Sequence, residues 1–297
     1  MNHRSALTAL HCGALMFGFT GVLGKLATTT PSMIVFGRAL FAVLALAVFT
    51  GLIARIPWQR LRANDWGRLA LGGVLLAGHW VSFFISVKVA GVAIATLGFT
   101  SFPALTVILE GLIFRERIRR NEIVLVCLVS IGLVLVTPDF NLASGATTGL
   151  LWGVLSGFLF ALLSLVNRAG SGKVGPVQSA LCQNLVVALC LLPFAAPELA
   201  SVSAMNWLWI ALLGVFCTGV AHSLFVASLD VLKARTAAVV FALEPVYGIT
   251  FAWLIFSETP TVRMMAGGAL IIFAIFLSAR MGDGKAVEPV DAQAARP

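Results

Sequence analysis

Apolar residues run along this chain in long blocks separated by short polar breaks, at about 6–26, 31–54, 67–87, 92–114, 122–137, 148–167, 176–196, 205–228, 236–256 and 262–280. A helix that crosses a bilayer needs roughly 20 apolar residues, so the pattern predicts ten transmembrane helices. A membrane β-barrel would instead alternate apolar and polar residues in segments of about ten. Leu40–Val48 and Gly267–Leu277 are continuously apolar, which selects helices. The first block follows Arg4 in the manner of a signal peptide. Thr28-Thr29-Thr30-Pro31 and a second apolar block come next, so it reads as a retained helix. Residues 281–297 are polar and rich in Ala and Pro, and are expected to form a disordered tail.

Composition agrees and narrows the function. Of 297 residues, 60% are hydrophobic and 11% charged, with a mean hydropathy of +1.01. Soluble domains hold about 25% charged residues, so a soluble enzyme, a nucleic-acid binder and a disordered protein are excluded. The net charge of +8 reports orientation instead. Sixteen of the 20 Lys and Arg fall in segments that share a side with the N-terminus, among them Arg55, Arg60, Arg62, Arg115, Arg117, Arg119, Arg120, Lys233 and Arg235. The positive-inside rule then predicts cytoplasmic N- and C-termini. The segments near Thr137–Thr147 and Pro197–Met205 contain no Lys or Arg and are expected outside. Lys25 lies where the first span nears the outer face, and snorkelling accounts for it. The five cysteines lie in apolar spans without C-x-x-C spacing and read as core residues.

The chain repeats itself. Ala95-Thr96, Pro103, Phe114 and Glu116 recur as Ala237-Ala238, Pro245, Phe256 and Glu258 at a constant offset of 142, and Gly72, Phe83 and Ser86 pair with Gly214, Phe225 and Ser228. Pro31 to Arg38 matches Pro176 to Gln183. Two halves of five spans follow, residues 1–139 and 140–280. Five is odd, so the second half enters the membrane inverted, as in many secondary transporters. Arg115-Glu116-Arg117 becomes Ser257-Glu258-Thr259, and the loss of arginines fits that inversion. The fold class is an all-α membrane protein of ten transmembrane helices in two inverted five-helix repeats.

Phe17-Gly18-Phe19, Lys25, Pro31, Arg38 and Ala42, with the paired Pro103…Phe114-Arg115-Glu116 and Pro245…Phe256-Ser257-Glu258, resemble the ten-helix EamA-type branch of the drug/metabolite transporter superfamily. The resemblance covers about residues 5–280. It implies a gradient-driven transporter of the bacterial inner membrane, and it is nearest to exporters of aromatic and other amino acids. Phe17 stands where many members have Trp, Gln183 replaces the repeat's Arg, and nothing in the second half matches Lys25.

Interrupted helices at equivalent places in the two halves point to a transport site. Pro103 and Pro245 are such a pair, each expected to free a backbone carbonyl, or else only to kink its helix for packing. Glu244 adjoins Pro245 about 12 Å into its span, where a carboxylate must face a cavity, pair, or take a proton. Tyr247 shares its helix face. Glu110 is expected to pair with Arg38. His79 and His222 lie on the third and eighth spans as site residues or hydrogen-bonded structure. Phe99, Phe102, Trp152 and Phe160 either line a cavity suited to apolar or aromatic side chains or pack in the core. Gly149, Gly153 and Gly157 form G-x-x-x-G-x-x-x-G, read as close packing within the chain.

Enzyme chemistry is not evident. There is no H-E-x-x-H, and Ser156-Gly157 with His222 lacks the spacing of a membrane serine protease. Gly170-Ser171-Gly172-Lys173 is followed by Val174 instead of the Ser or Thr of a phosphate loop. The expectation is a non-enzymatic, alternating-access exporter of amino acids and related small metabolites. It needs no cofactor, metal or nucleic acid, its partners are its substrate and the lipid bilayer, and it works as a monomer. The rival readings are a multidrug or cation exporter of the same fold, or a polytopic membrane enzyme.

Overall fold

The computed structural model describes residues 2–53, 58–113, 120–136, 141, 143–169, 174–221, 224, 240 and 243–281. Every regular element among them is helical. The α-helices are α1 (His3–Leu26), α2 (Pro31–Val48), α3 (Ala63–Phe99), α4 (Phe102–Ile113), α5 (Arg120–Val136), α6 (Gly145–Ala169), α7 (Pro176–Ala195), α8 (Ala204–Gly214), α9 (Glu244–Phe256) and α10 (Val262–Met281). Two π-helical turns, Phe49–Ile53 and Val215–Val220, continue α2 and α8. Met281, placed in the tail by sequence, ends α10, and the rest of that tail lies outside the described residues.

Several starts follow from local chemistry. Thr30 caps α2 by accepting from the Met33 N–H, with Pro31 behind it in the first turn, where a missing N–H costs nothing. Asn2 and Ser203 cap α1 and α8 in the same way.

The third and fourth spans are joined differently from expectation. They form one element, α3, and Gly91 (φ 85°, ψ 171°) breaks its helical backbone. On one side of Gly91, Ala90 faces Gly149 of α6 and Gly78 faces Leu159. On the other, Gly98 faces Gly153 and Ser101 faces Gly157. Both arms therefore run along α6, in opposite directions, so Gly91 is the turn of a helical hairpin. The fourth span then breaks again at Thr100-Ser101 before α4 begins.

The α3 hairpin and α6 form the centre. α2 packs on α7 and α8, α1 on α9, and α5 on α10. One apolar core gathers Met33, Ile34, Val35, Phe84, Val187, Ile210 and Leu213 from α2, α3, α7 and α8. A second gathers Leu97, Val129 and Ile271 from α3, α5 and α10. α5 and α10 meet at Gly132 and Gly267, where a Cβ on either would come within 3 Å of the other's carbonyl oxygen. Among the described residues, five helical stretches are long and apolar enough to cross a membrane: His3–Leu26, Pro31–Leu52, Ala63–Phe99, Gly145–Asn167 and Val177–Glu198. Leu44, Leu52, Leu112, Leu189, Phe194, Leu254 and Phe273 are exposed, an apolar exterior that suits lipid. The architecture is a multi-pass bundle of two five-helix repeats.

Candidate functional site

The glycine seam of α6 fixes the broken fourth span. A Cβ at Gly153 would lie 3.0 Å from Ala95 O and 3.1 Å from Gly98 Cα, and one at Gly157 would lie 2.9 Å from Phe99 O. Only glycine lets these backbones touch, which is the close packing within the chain that the spacing predicts. Ser86 ties the seam further by donating to Gly149 O.

Around the break sits an aromatic cluster. Phe99 stacks on Phe102 at 5.2 Å, and Phe160 meets Phe99 and Phe102 edge-on at 5.4 and 5.1 Å. His79 lies 5.1 Å from Phe99 and 5.0 Å from Phe160. The His79 ring is also held by hydrogen bonds. Its Nδ1 is 2.7 Å from Ser156 Oγ, and the Ser156 hydroxyl donates back to His79 O at 3.0 Å. With its proton used there, Ser156 Oγ accepts from Nδ1–H, so the pairing assigns the imidazole proton to Nδ1. Four expected residues, His79, Phe99, Phe102 and Phe160, therefore come together. Trp152 is half-buried on α6 and makes none of the ring contacts found among the described residues. His222 lies outside the described residues.

Pro103 and Pro245 stand elsewhere than mid-helix. Each occupies the second position of its helix, α4 or α9, just after a break. A proline there continues no earlier helix and begins the next at little cost. The polar residues at the break are satisfied locally, with Thr100 Oγ1 donating to Leu97 O and Ser101 Oγ to Gly98 O.

Glu244 and Tyr247 form a second group, on α9 against α1. Gly18 permits the approach, since a Cβ there would lie 2.7 Å from Tyr247 Cβ. Tyr247 points along α1, with its hydroxyl 3.5 Å from His11 Nδ1, and packs with Ala6, Leu10 and Ala14. Among the described residues it makes no ring contact with the aromatic cluster.

Arg38 of α2 lies between the groups. It is 3% exposed. Its Nε donates to Thr218 Oγ1 at 2.7 Å, and its guanidinium covers the Trp80 ring at 4.0 Å. Glu244 and His79 are both within electrostatic range of it. Glu110 was expected to be its partner, but no ion pair joins Arg38 to any carboxylate among the described residues. The two residues sit on α2 and α4, whereas Arg38 is held by α3 and the π-helical turn after α8. The sequence offers Arg38 as a repeat landmark and as a partner for Glu110, and gives no sign of Trp80 or Thr218. A lone arginine inside an apolar block was the available signal.

At one end of the bundle, four connections are pinned by charge. Glu258, just past α9, accepts from Lys25 of α1 and from the Val92 N–H at 3.0 Å. The carboxylate thus caps the second arm of the α3 hairpin, where a helix start favours negative charge. Lys25 also lies 4.6 Å from the Phe256 ring. Its ammonium is paired with Glu258, a partner that the linear pattern does not show. Lys88 donates to Ala27 O beside it. Glu198 accepts from Thr29 and Thr30 at 2.9 and 2.7 Å, joining the α1–α2 and α7–α8 connections.

The sequence model of the EamA-like transporter family matches twice, over residues 4–137 and 147–280. An uncharacterized transporter of Bacillus subtilis (strain 168) is 23% identical over 287 residues, covering 95% of this chain and 92% of that protein. An S-adenosylmethionine uptake transporter of Rickettsia felis is 28% identical over 208 residues, 68% of each chain. A solved structure described only as the crystal structure of a protein superposes with a TM-score of 0.66 at 17% identity, over 96% of this chain and all of that one. At that identity the likeness concerns fold.

Proposed function

We propose a substrate and a direction for this chain, which belongs to the EamA-like transporter family: it exports amino acids, aromatic and other neutral ones, together with related small metabolites, by alternating access. The bilayer would be a bacterial inner membrane, with both termini cytoplasmic as the distribution of Lys and Arg predicts, and the protein would act as a monomer. The repeats at 1–139 and 140–280 would rock about one central site.

The observation that carries the reading is Glu244. It opens α9 at a break in an apolar span, at the place in the repeat where Phe102 opens α4. A carboxylate at membrane depth costs about 2–3 kcal/mol or more without a partner, and a substrate ammonium would supply one. The aromatic cluster of Phe99, Phe102 and Phe160, with His79 held by Ser156, would form an apolar wall suited to an aromatic side chain. Tyr247, Trp152 and His222 remain in the proposal as further lining groups, and Pro103 and Pro245 as the residues that restart each broken span. The S-adenosylmethionine carried by the Rickettsia relative has an amino-acid end beside a flat ring, a chemistry these groups would also accept. A flat organic cation would satisfy the same carboxylate and rings, so a multidrug exporter is the second reading.

Glu244→Gln tests the proposal. In proteoliposomes loaded with radiolabelled phenylalanine, the variant is expected to insert normally and to lose most efflux. Efflux at the wild-type rate would remove Glu244 from the site. No movement of any amino acid by wild type, with movement of cationic dyes, would favour the second reading.

A further inference from the structure

The guanidinium of Arg38 is charged at any physiological pH, it is buried, and it is incompletely used. Nε is taken by Thr218 and one face by Trp80, while Nη1 has no hydrogen-bond partner among the described residues. A buried donor left unpaired is expensive, and more so when charged. Thr20 Oγ1, also buried, meets no hydrogen-bond geometry among the described residues but lies within polar reach of the Cys217 thiol. Thr20 is on α1 beside Cys217, which with Thr218 belongs to the π-helical turn Val215–Val220. Such turns inside a helix are rare and concentrate at functional sites. This one directs Thr218 onto Arg38, with the Thr218 hydroxyl in turn donating to Leu213 O five residues back.

We propose that Arg38, with Thr20, forms an anion seat for the substrate's carboxylate, opposite Glu244. The assignment rests on the amino-acid reading above and deepens it. A guanidinium presents planar paired donors to a carboxylate, and Nη1 is the donor still free. Thr218 and Trp80 position it by fixing the other edge and one face. Arg38 and Glu244 lie farther apart than an ion pair but within electrostatic range of each other. A zwitterion between them satisfies both, its carboxylate on Arg38 and its ammonium on Glu244. The site therefore selects α-amino acids over plain amines, which lack the group Arg38 needs.

Three probes separate the roles: phenylalanine, phenylalanine amide (ammonium without carboxylate) and phenylpyruvate (carboxylate without ammonium). Each is measured by transport in proteoliposomes and by thermal stabilisation of the purified protein. Arg38→Gln is expected to cut phenylalanine transport about tenfold or more and to reduce amide transport by a clearly smaller factor. Arg38→Lys, which keeps the charge and loses the fork, serves if the first variant does not fold, and is expected to raise KM for phenylalanine alone. Equal losses for amide and acid in a folded variant would make Arg38 structural and overturn the assignment. So would unchanged phenylalanine transport, which leaves the amino-acid reading standing. If wild type moves phenylpyruvate and no amino acid, and Arg38→Gln abolishes it, the anion seat stands and the amino-acid reading falls. If wild type neither binds nor moves any of the three, both fall.

Discussion

Gly91→Ala probes the turn on which the central hairpin depends. At φ 85° and ψ 171° the backbone lies in a region open essentially to glycine alone, and an alanine held there costs about 1–3 kcal/mol. The new Cβ would also stand 2.9–3.0 Å from both Glu258 carboxylate oxygens. Pushing that carboxylate away loosens its bond to the Val92 N–H and its pair with Lys25, a cap worth about 1–2 kcal/mol. Restricting the unfolded chain returns about 0.4–1 kcal/mol. The net destabilisation is about 3 kcal/mol, or about 5 °C in melting temperature for a chain of this size. The assay is thermal unfolding of the purified protein followed by size-exclusion chromatography. Gly67→Ala is the control, because a Cβ there meets nothing within 4 Å and the residue is helical, so the change should be neutral or slightly stabilising. In a Glu258→Gln background the cost of Gly91→Ala should shrink, since part of it acts through the carboxylate. If Gly91→Ala melts within about 2 °C of Gly67→Ala, the hairpin is not held by this backbone strain and cap, and the reasoning is refuted.

Other consequences are as direct. Gly153→Leu should destabilise by about 2–3 kcal/mol, because its Cβ would meet Ala95 O and Gly98 Cα, backbone atoms that cannot rotate aside. Leu151→Ala, at an exposed position of the same helix, should leave folding intact, and equal yields of the two variants would count against the seam. A reporter fused near Ser144, in the segment joining the halves, is expected to read as external. A cytoplasmic signal there would reverse the predicted topology. Glu244→Gln and Arg38→Gln, set out above, divide the transport site into its two charges.

The helices were legible one by one because each is a local pattern. An apolar block of about 20 residues has few alternatives in a bilayer, and the blocks at 6–26, 31–54 and 176–196 correspond to α1, α2 and α7 with their short extensions. The breaks were less legible. In span four the pattern marks an interruption at Pro103, whereas the helix already stops at Thr100-Ser101, neither of which is a strong helix breaker. The aromatic cluster was half visible: Phe99, Phe102, Phe160 and His79 had been singled out by type, while their meeting depends on how α6 crosses the hairpin. Arg38 was assigned to Glu110 because both are charges at membrane depth, and sequence carries no measure of which helices touch.

What this chain's sequence determines by itself is its solvent and its periodicity. Charge at 11% and ten apolar blocks require lipid around the protein, and the offset of 142 between matched residues requires two copies of one unit. Tertiary structure alone decides which charges meet. Lys25 and Glu258 are 233 positions apart and pair, and Arg38 reaches Thr218 across 180. The physical reason is range. Hydrophobic burial is non-directional and is read from composition along a segment. A buried charge is settled only by the few atoms within hydrogen-bonding distance of it, and those atoms are supplied by helices that the linear pattern does not order in space.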